Sequence, residues 1–252
     1  MKVAAVQHDI AWEDPETTRA KTAPMIAEAA GAGARLIVLP EMFATGFSMQ
    51  PELIAEDEGG PTEQFLVQQA GEHAAHVVGS IAQRGEDGRY RNNAVLARPD
   101  GSVTRYAKIH PFSFAGEHER YAAGSDFVTV DVEGLRVSLF VCYDLRFADE
   151  FWALAATTDL YVVPANWPRP RHEHWRALLR ARAIENQAYV LGVNRIGAAA
   201  DLPHDGGSAL IDPLGSTVFE ADTAAAVLTG DVEADVVRQT RTTFPFLADR
   251  RA

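Results

Sequence analysis

Apolar runs rich in β-branched residues recur along the chain: VAAVQ, LIVLP, HVVGSIA, NAVLA, LRVSLFV, DLYVVPA and YVLGVNR, then SALIDP and AVLTGDV. Longer stretches with helical spacing separate many of them, which is the order of an α/β fold with many strands. Asp14 as N-cap and Pro15 as first helical residue open the first helix, and Gly31 and Gly33 terminate it. Pro24 falls inside and predicts a kink or a break into two pieces. Further helices are expected near 61–74, 149–156 and 173–188, the last with Trp175, Leu178, Leu179 and Arg182 on one face. The hairpin signals EDGRYR and RPDGSVTRY predict antiparallel neighbours, hence a mixed sheet, in one domain spanning residues 1–252.

Composition narrows the function more than the fold. A chain of 252 residues with 47% hydrophobic content can bury a sizeable core. Its formal net charge of −12 argues against nucleic acid or an anionic membrane as partner and favours a small-molecule substrate. In MKVAAVQHDIAWEDP, polar Gln7, His8 and Asp9 interrupt the apolar run before a signal-peptide core is complete, and no stretch is long enough for a membrane span. One cysteine excludes an internal disulfide and makes the cytoplasm the expected compartment.

Two motifs carry little chemistry. GAGARL follows a helix and precedes a strand, the reverse of a dinucleotide fingerprint, and reads as a helix C-terminus. HEHW spaces His172 and His174 two apart, which does not suit a helical zinc pair, so no metal is expected. Three strand-to-loop junctions are richer. Glu41 follows LIVLP, Lys108 follows SVTRY, and Cys142 ends SLFVC about seven residues before a helix. A buried carboxylate is costly unless it is paired or hydrogen-bonded. A thiol at the end of a strand can be a nucleophile if a base takes its proton, and His110 and His118 are further candidates for that base.

LPEMFATGF, YAKIHPF and FVCYDLRF, in that order, resemble the Glu, Lys and Cys motifs of the nitrilase superfamily of carbon–nitrogen hydrolases, and the likeness spans the chain. CYDLRF with PANWPRPRHEHWRALLRARAIENQAYVLGVNRIG is similar to the omega-amidase branch, which hydrolyses the side-chain amide of 2-oxoglutaramate or 2-oxosuccinamate. The resemblance implies a four-layer αββα sandwich, a homodimer and no cofactor. It implies Cys142 as nucleophile, Glu41 as general base and Lys108 as partner of the oxyanion. Chemistry adds the backbone N–H of Tyr143 as a second oxyanion donor. The family's second glutamate aligns with Glu117, or else with Glu119. Arg169 and Arg171 are candidates to bind a substrate carboxylate, with Phe47 and Trp167 as pocket walls. Asp144 and Arg146 are expected to hold the turn by mutual or backbone hydrogen bonds rather than touch substrate. The same triad would also serve an N-carbamoyl amino acid or another aliphatic amide, and a catalytically silent binding scaffold is the alternative of a different class.

Overall fold

The computed structural model describes residues 1–199 and 202–250. Six strands form the path of the first sheet, in the order Ala226–Asp231, Lys2–Gln7, Leu36–Val38, His76–Arg84, Tyr90–Ala97 and Val103–Ala107, with the short Glu56–Asp57 paired to His76–Arg84 off that path. The second sheet runs Thr217–Glu220, Ala209–Ile211, Tyr189–Asn194, Leu160–Ala165, Leu135–Leu139 and Thr129–Val132. Both are mixed. The central Lys2–Gln7, Leu36–Val38 and His76–Arg84 are parallel neighbours, whereas His76–Arg84, Tyr90–Ala97 and Val103–Ala107 form the antiparallel meander that the two hairpin signals predict.

The layers follow from the two-residue alternation of strand side chains. Ala4, Val6, Ile37, Leu39 and Val77 point outward to Ile26 and Ala29 of helix Pro15–Gly31 and to Leu66 and Ala70 of helix Pro61–His73. Val3, Ala5, Leu36, Val38 and Val78 point inward and join the cluster that contains Val137, Leu139, Tyr161 and Val163 of the second sheet. Phe151 of helix Ala148–Ala153 and Trp175, Leu179 and Ala183 of helix His172–Asn186 belong to the same cluster and cover that sheet. The result is the αββα sandwich.

Two expectations change. Pro24 does not divide the first helix, which runs unbroken from Pro15 to Gly31. The proline leaves one carbonyl without its helical donor. Thr18, Thr22, Ile26 and Ala29 on the buried face hold the segment in place, with the Thr22 hydroxyl donating to the Thr18 carbonyl at 3.0 Å. The helix after the cysteine is shorter than its pattern, ending at Ala153 before a separate 3-10 turn, Ala155–Thr157. A two-stranded ribbon, Ile196–Ala199 with Leu202–Asp205, also stands apart from both sheets, and the hydrophobic pattern did not announce it.

Candidate active site

The three junctions converge at one end of the two sheets. Glu41 lies just beyond Leu36–Val38, and its own N–H reaches across to the Ala165 carbonyl of the second sheet at 3.4 Å. Met42 next to it has a φ of 41°, and its N–H donates to Ser80 Oγ at 2.7 Å. Lys108 directly follows Val103–Ala107, with its N–H on the Asn92 carbonyl at 2.9 Å. Cys142 opens a 3-10 turn, Cys142–Arg146, and takes a φ of 45°. The left-handed region costs a non-glycine residue roughly 1–2 kcal/mol, so neighbouring contacts must impose it. This strand-end turn presents the sulfur at the sheet edge.

Glu41 is fully buried and Lys108 almost so, yet both are paired. Lys108 Nζ donates to Glu41 Oε1 at 2.9 Å and to Glu117 Oε2 at 2.8 Å. Asn92 Nδ2 bridges the same carboxylates, 2.8 Å from Glu41 Oε1 and 3.1 Å from Glu117 Oε1, while its own Oδ1 accepts from Ser80. The backbone N–H of Asn166 donates to Glu41 Oε2 at 2.9 Å, and its side chain donates to the Glu41 carbonyl. Charge-assisted hydrogen bonds of this kind offset the desolvation that a lone buried carboxylate would suffer.

Two ionisations are displaced. Burial disfavours the Lys108 ammonium, but the charges of Glu117 and Glu41 outweigh it, so its pKa lies above the ordinary lysine value. Burial, followed by the Glu41 charge and a hydrogen bond to Glu41, raises the Cys142 thiol well above its ordinary value, with Lys108 opposing. Burial and Glu41 thus favour the thiol over the thiolate.

A cavity of about 220 Å³ opens over the sulfur. Phe47, Tyr143, Trp167 and Arg171 line it, Phe47 with its ring 5.1 Å from Lys108 Nζ and Arg171 with its guanidinium 5.4 Å from the Phe112 ring. Arg169 does not line it. The 3-10 turn Arg169–Arg171 sends that side chain outward to Asp205, at 2.6 Å. Arg146 takes the place in the wall instead. It makes no bond to Asp144, and its guanidinium lies 4.8 Å from the Trp167 ring and 3.1 Å from His174 Nδ1. Neither Arg146 nor Arg171 is ion-paired with a carboxylate among the described residues, whereas Arg169, Arg176, Arg182 and Arg195 each are.

The remaining candidates separate clearly. Glu117 is buried against Lys108, and Glu119, two residues on, is exposed. His110 stacks on Phe147 at 3.6 Å and binds Glu150 at 2.9 Å, and His118 is exposed, which leaves Glu41, whose charge bears on the thiol, as the base candidate. Asn92, Asn166 and Ser80 went unread in the sequence. The signal available was the polar NN pair inside the strand run YRNNAVLA. No cluster of three or more His, Cys, Asp or Glu among the described residues is placed to hold a metal ion.

A thiol and an ammonium lining one cavity, with a buried carboxylate bonded to that ammonium, are equipped for acyl transfer from a carbonyl. Comparison with known proteins agrees: a sequence model of the carbon-nitrogen hydrolase family matches residues 2–242, and the chain belongs to that family of hydrolases acting on C–N bonds. It is 40% identical to the omega-amidase YafV of Escherichia coli, over 86% of this chain and 84% of that one. It is 31% identical to the 2-oxoglutaramate amidase of Bacillus subtilis, over 99% and 97% of the two chains. The crystal structure of XC1258 from Xanthomonas campestris, a CN-hydrolase superfamily protein, superposes with a TM-score of 0.94 at 37% identity, covering 100% of this chain and 97% of that one.

Proposed function

We propose that the chain, acting as one hydrolase domain, releases ammonia from the side-chain amide of a short keto-acid monoamide such as 2-oxoglutaramate or 2-oxosuccinamate. The observation that carries this reading is the pair Arg146 and Arg171 in the wall of the Cys142 cavity, unpaired with any carboxylate among the described residues. Burial and the neighbouring Arg146 charge lower Arg171 from its ordinary value, so the two guanidinium groups repel each other until an anion enters. A substrate carboxylate is that anion, and arginine binds it through two parallel N–H donors. The omega-amidase and 2-oxoglutaramate amidase relatives support the same choice.

In this mechanism Glu41 takes the thiol proton as Cys142 Sγ bonds to the amide carbon. The negative charge moves to the carbonyl oxygen, where Lys108 and the backbone N–H of Tyr143 stabilise it. No acceptor among the described residues takes that N–H. Glu41 passes the proton to the nitrogen, the C–N bond breaks, and ammonia leaves a thioester on Cys142. Water then gives a proton to Glu41 and attacks the thioester, and the returning proton restores the thiol as the carboxylate product departs. Glu117 and Asn92 hold Lys108 and Glu41 in register throughout.

The test is ammonia release from 2-oxoglutaramate, 2-oxosuccinamate, N-carbamoyl-β-alanine and a simple nitrile, with Cys142→Ala as control. The keto-acid amides are expected to be turned over by the wild type alone. Turnover of the carbamoyl compound only would replace the substrate class, and activity in Cys142→Ala would end the mechanism.

A further inference from the structure

We propose that Asp144 is a positioning residue that sets the separation of the nucleophile and the oxyanion cation by tying the Cys142 turn to the segment that carries Lys108. It rests on the roles assigned above to those two residues. Asp144 is fully buried and does not line the cavity, so it touches no substrate. Its Oδ2 accepts from the Val141 N–H at 2.9 Å and from the Tyr106 hydroxyl at 2.8 Å, and its Oδ1 accepts from the His110 N–H at 2.9 Å.

The chain positions of these donors matter. Val141 immediately precedes the nucleophile, and Tyr106 and His110 lie two residues to either side of Lys108. The Lys108 segment leaves the first sheet and the Cys142 turn leaves the second, so no strand ladder fixes the distance between them. A single carboxylate with three donors from both sides does so. The same bonds brace Cys142 in its left-handed conformation, which its own side chain disfavours. Burial raises Asp144 to about 6, opposed first by the Lys108 charge and then by the Val141, His110 and Tyr106 donors.

The experiment measures kcat, KM, Tm and the pH at which Cys142 becomes alkylated by iodoacetamide, in the wild type, Asp144→Asn and Tyr106→Phe. Asp144→Asn turns an N–H2 group toward donors. With Lys108 displaced from the sulfur, kcat is expected to fall about 100-fold with KM within about 3-fold, and alkylation to require a higher pH. Tyr106→Phe leaves the Val141 and His110 bonds in place and should keep kcat within about 3-fold of the wild type. A lowered Tm with unchanged kcat and unchanged alkylation profile would reduce Asp144 to a fold-stabilising role and overturn the proposal. If Asp144→Asn is insoluble, Asp144→Glu, which lengthens the arm by one methylene, is judged by the same criteria. The alkylation profile needs no substrate, so a failure here is distinguishable from a wrong substrate class, which the wild type alone would reveal.

Discussion

Lys108 Nζ sits 2.9 Å from Glu41 Oε1 in a site where both side chains are almost wholly removed from water. One ammonium serves two carboxylates, since Glu117 lies 2.8 Å away on the other side. Breaking a buried pair costs more than a surface pair is worth, because the partner is left charged and unsolvated. Lys108→Met should therefore lower stability by about 3–5 kcal/mol and abolish ammonia release. Thermal melts and the ammonia assay check this, and a variant as stable as the wild type would mean that the carboxylates do not need the cation.

Glu117 is expected to act through Lys108. Glu117→Gln keeps an acceptor for the Phe112 N–H but turns its N–H2 group toward Asn92 Nδ2, so one hydrogen bond is lost while the fold should persist. Its charge disappears from the site, the ammonium loses half its restraint, and kcat should drop roughly 100-fold while Tm moves by only a few degrees. Glu119→Gln, at an exposed position, is the matched control and should behave as wild type.

The hydrophobic pattern revealed the two ingredients that are local in the chain: apolar runs that become strands, and the polar residue that ends each run. Glu41, Lys108 and Cys142 were legible for that reason, and the αββα fold followed from their resemblance. Which way a guanidinium points is not local. Arg169 and Arg171 are two residues apart on one 3-10 turn, and only the docking of that turn against Asp205 and Phe112 sends one out and the other into the cavity. Arg146 looked like a turn residue because it is near Cys142 in sequence, yet its stacking partner Trp167 comes from the loop after another strand. Pro24 does not break its helix, because helix propensity is weighed against burial of a whole face, and here burial prevails.

The division between the arginines is open to kinetics. Arg146→Ala and Arg171→Ala should each raise KM for 2-oxoglutaramate by about 10- to 100-fold, the range of a charge-assisted carboxylate contact. A neutral amide such as propionamide should lose little. Arg169→Ala, whose partner Asp205 is outside the cavity, should change neither value by more than about 2-fold. Equal losses on charged and neutral amides would show that the arginines support the wall and do not grip the carboxylate.

Stability should fall on mild acidification. Burial lowers His8 and His204 from 6.5 to about 4, and each donates Nδ1–H to a backbone carbonyl, Asp9 and Leu202 respectively. The unfolded chain binds these protons near pH 6.5 and the folded chain only near pH 4. Their contribution is thus fully present above about pH 6.5 and is lost as pH falls toward 4, by up to about 3 kcal/mol for each ring. Melting curves from pH 7.5 to 4 should show His8→Gln losing less stability than the wild type across that window. Parallel curves would refute the assignment.

The most direct test of Glu41 as proton carrier for a neutral thiol is a paired measurement on Glu41→Gln: thiolate absorbance against pH, and ammonia release from the same sample. The Glu41 charge is one of the causes that raise the Cys142 pKa, so its removal beside Lys108 should let the thiol ionise at lower pH than in the wild type. Turnover should nevertheless fall by about 1,000-fold or more, because nothing remains to carry the proton to nitrogen and to activate water. Full turnover in Glu41→Gln, with or without the change in thiol titration, would contradict that role.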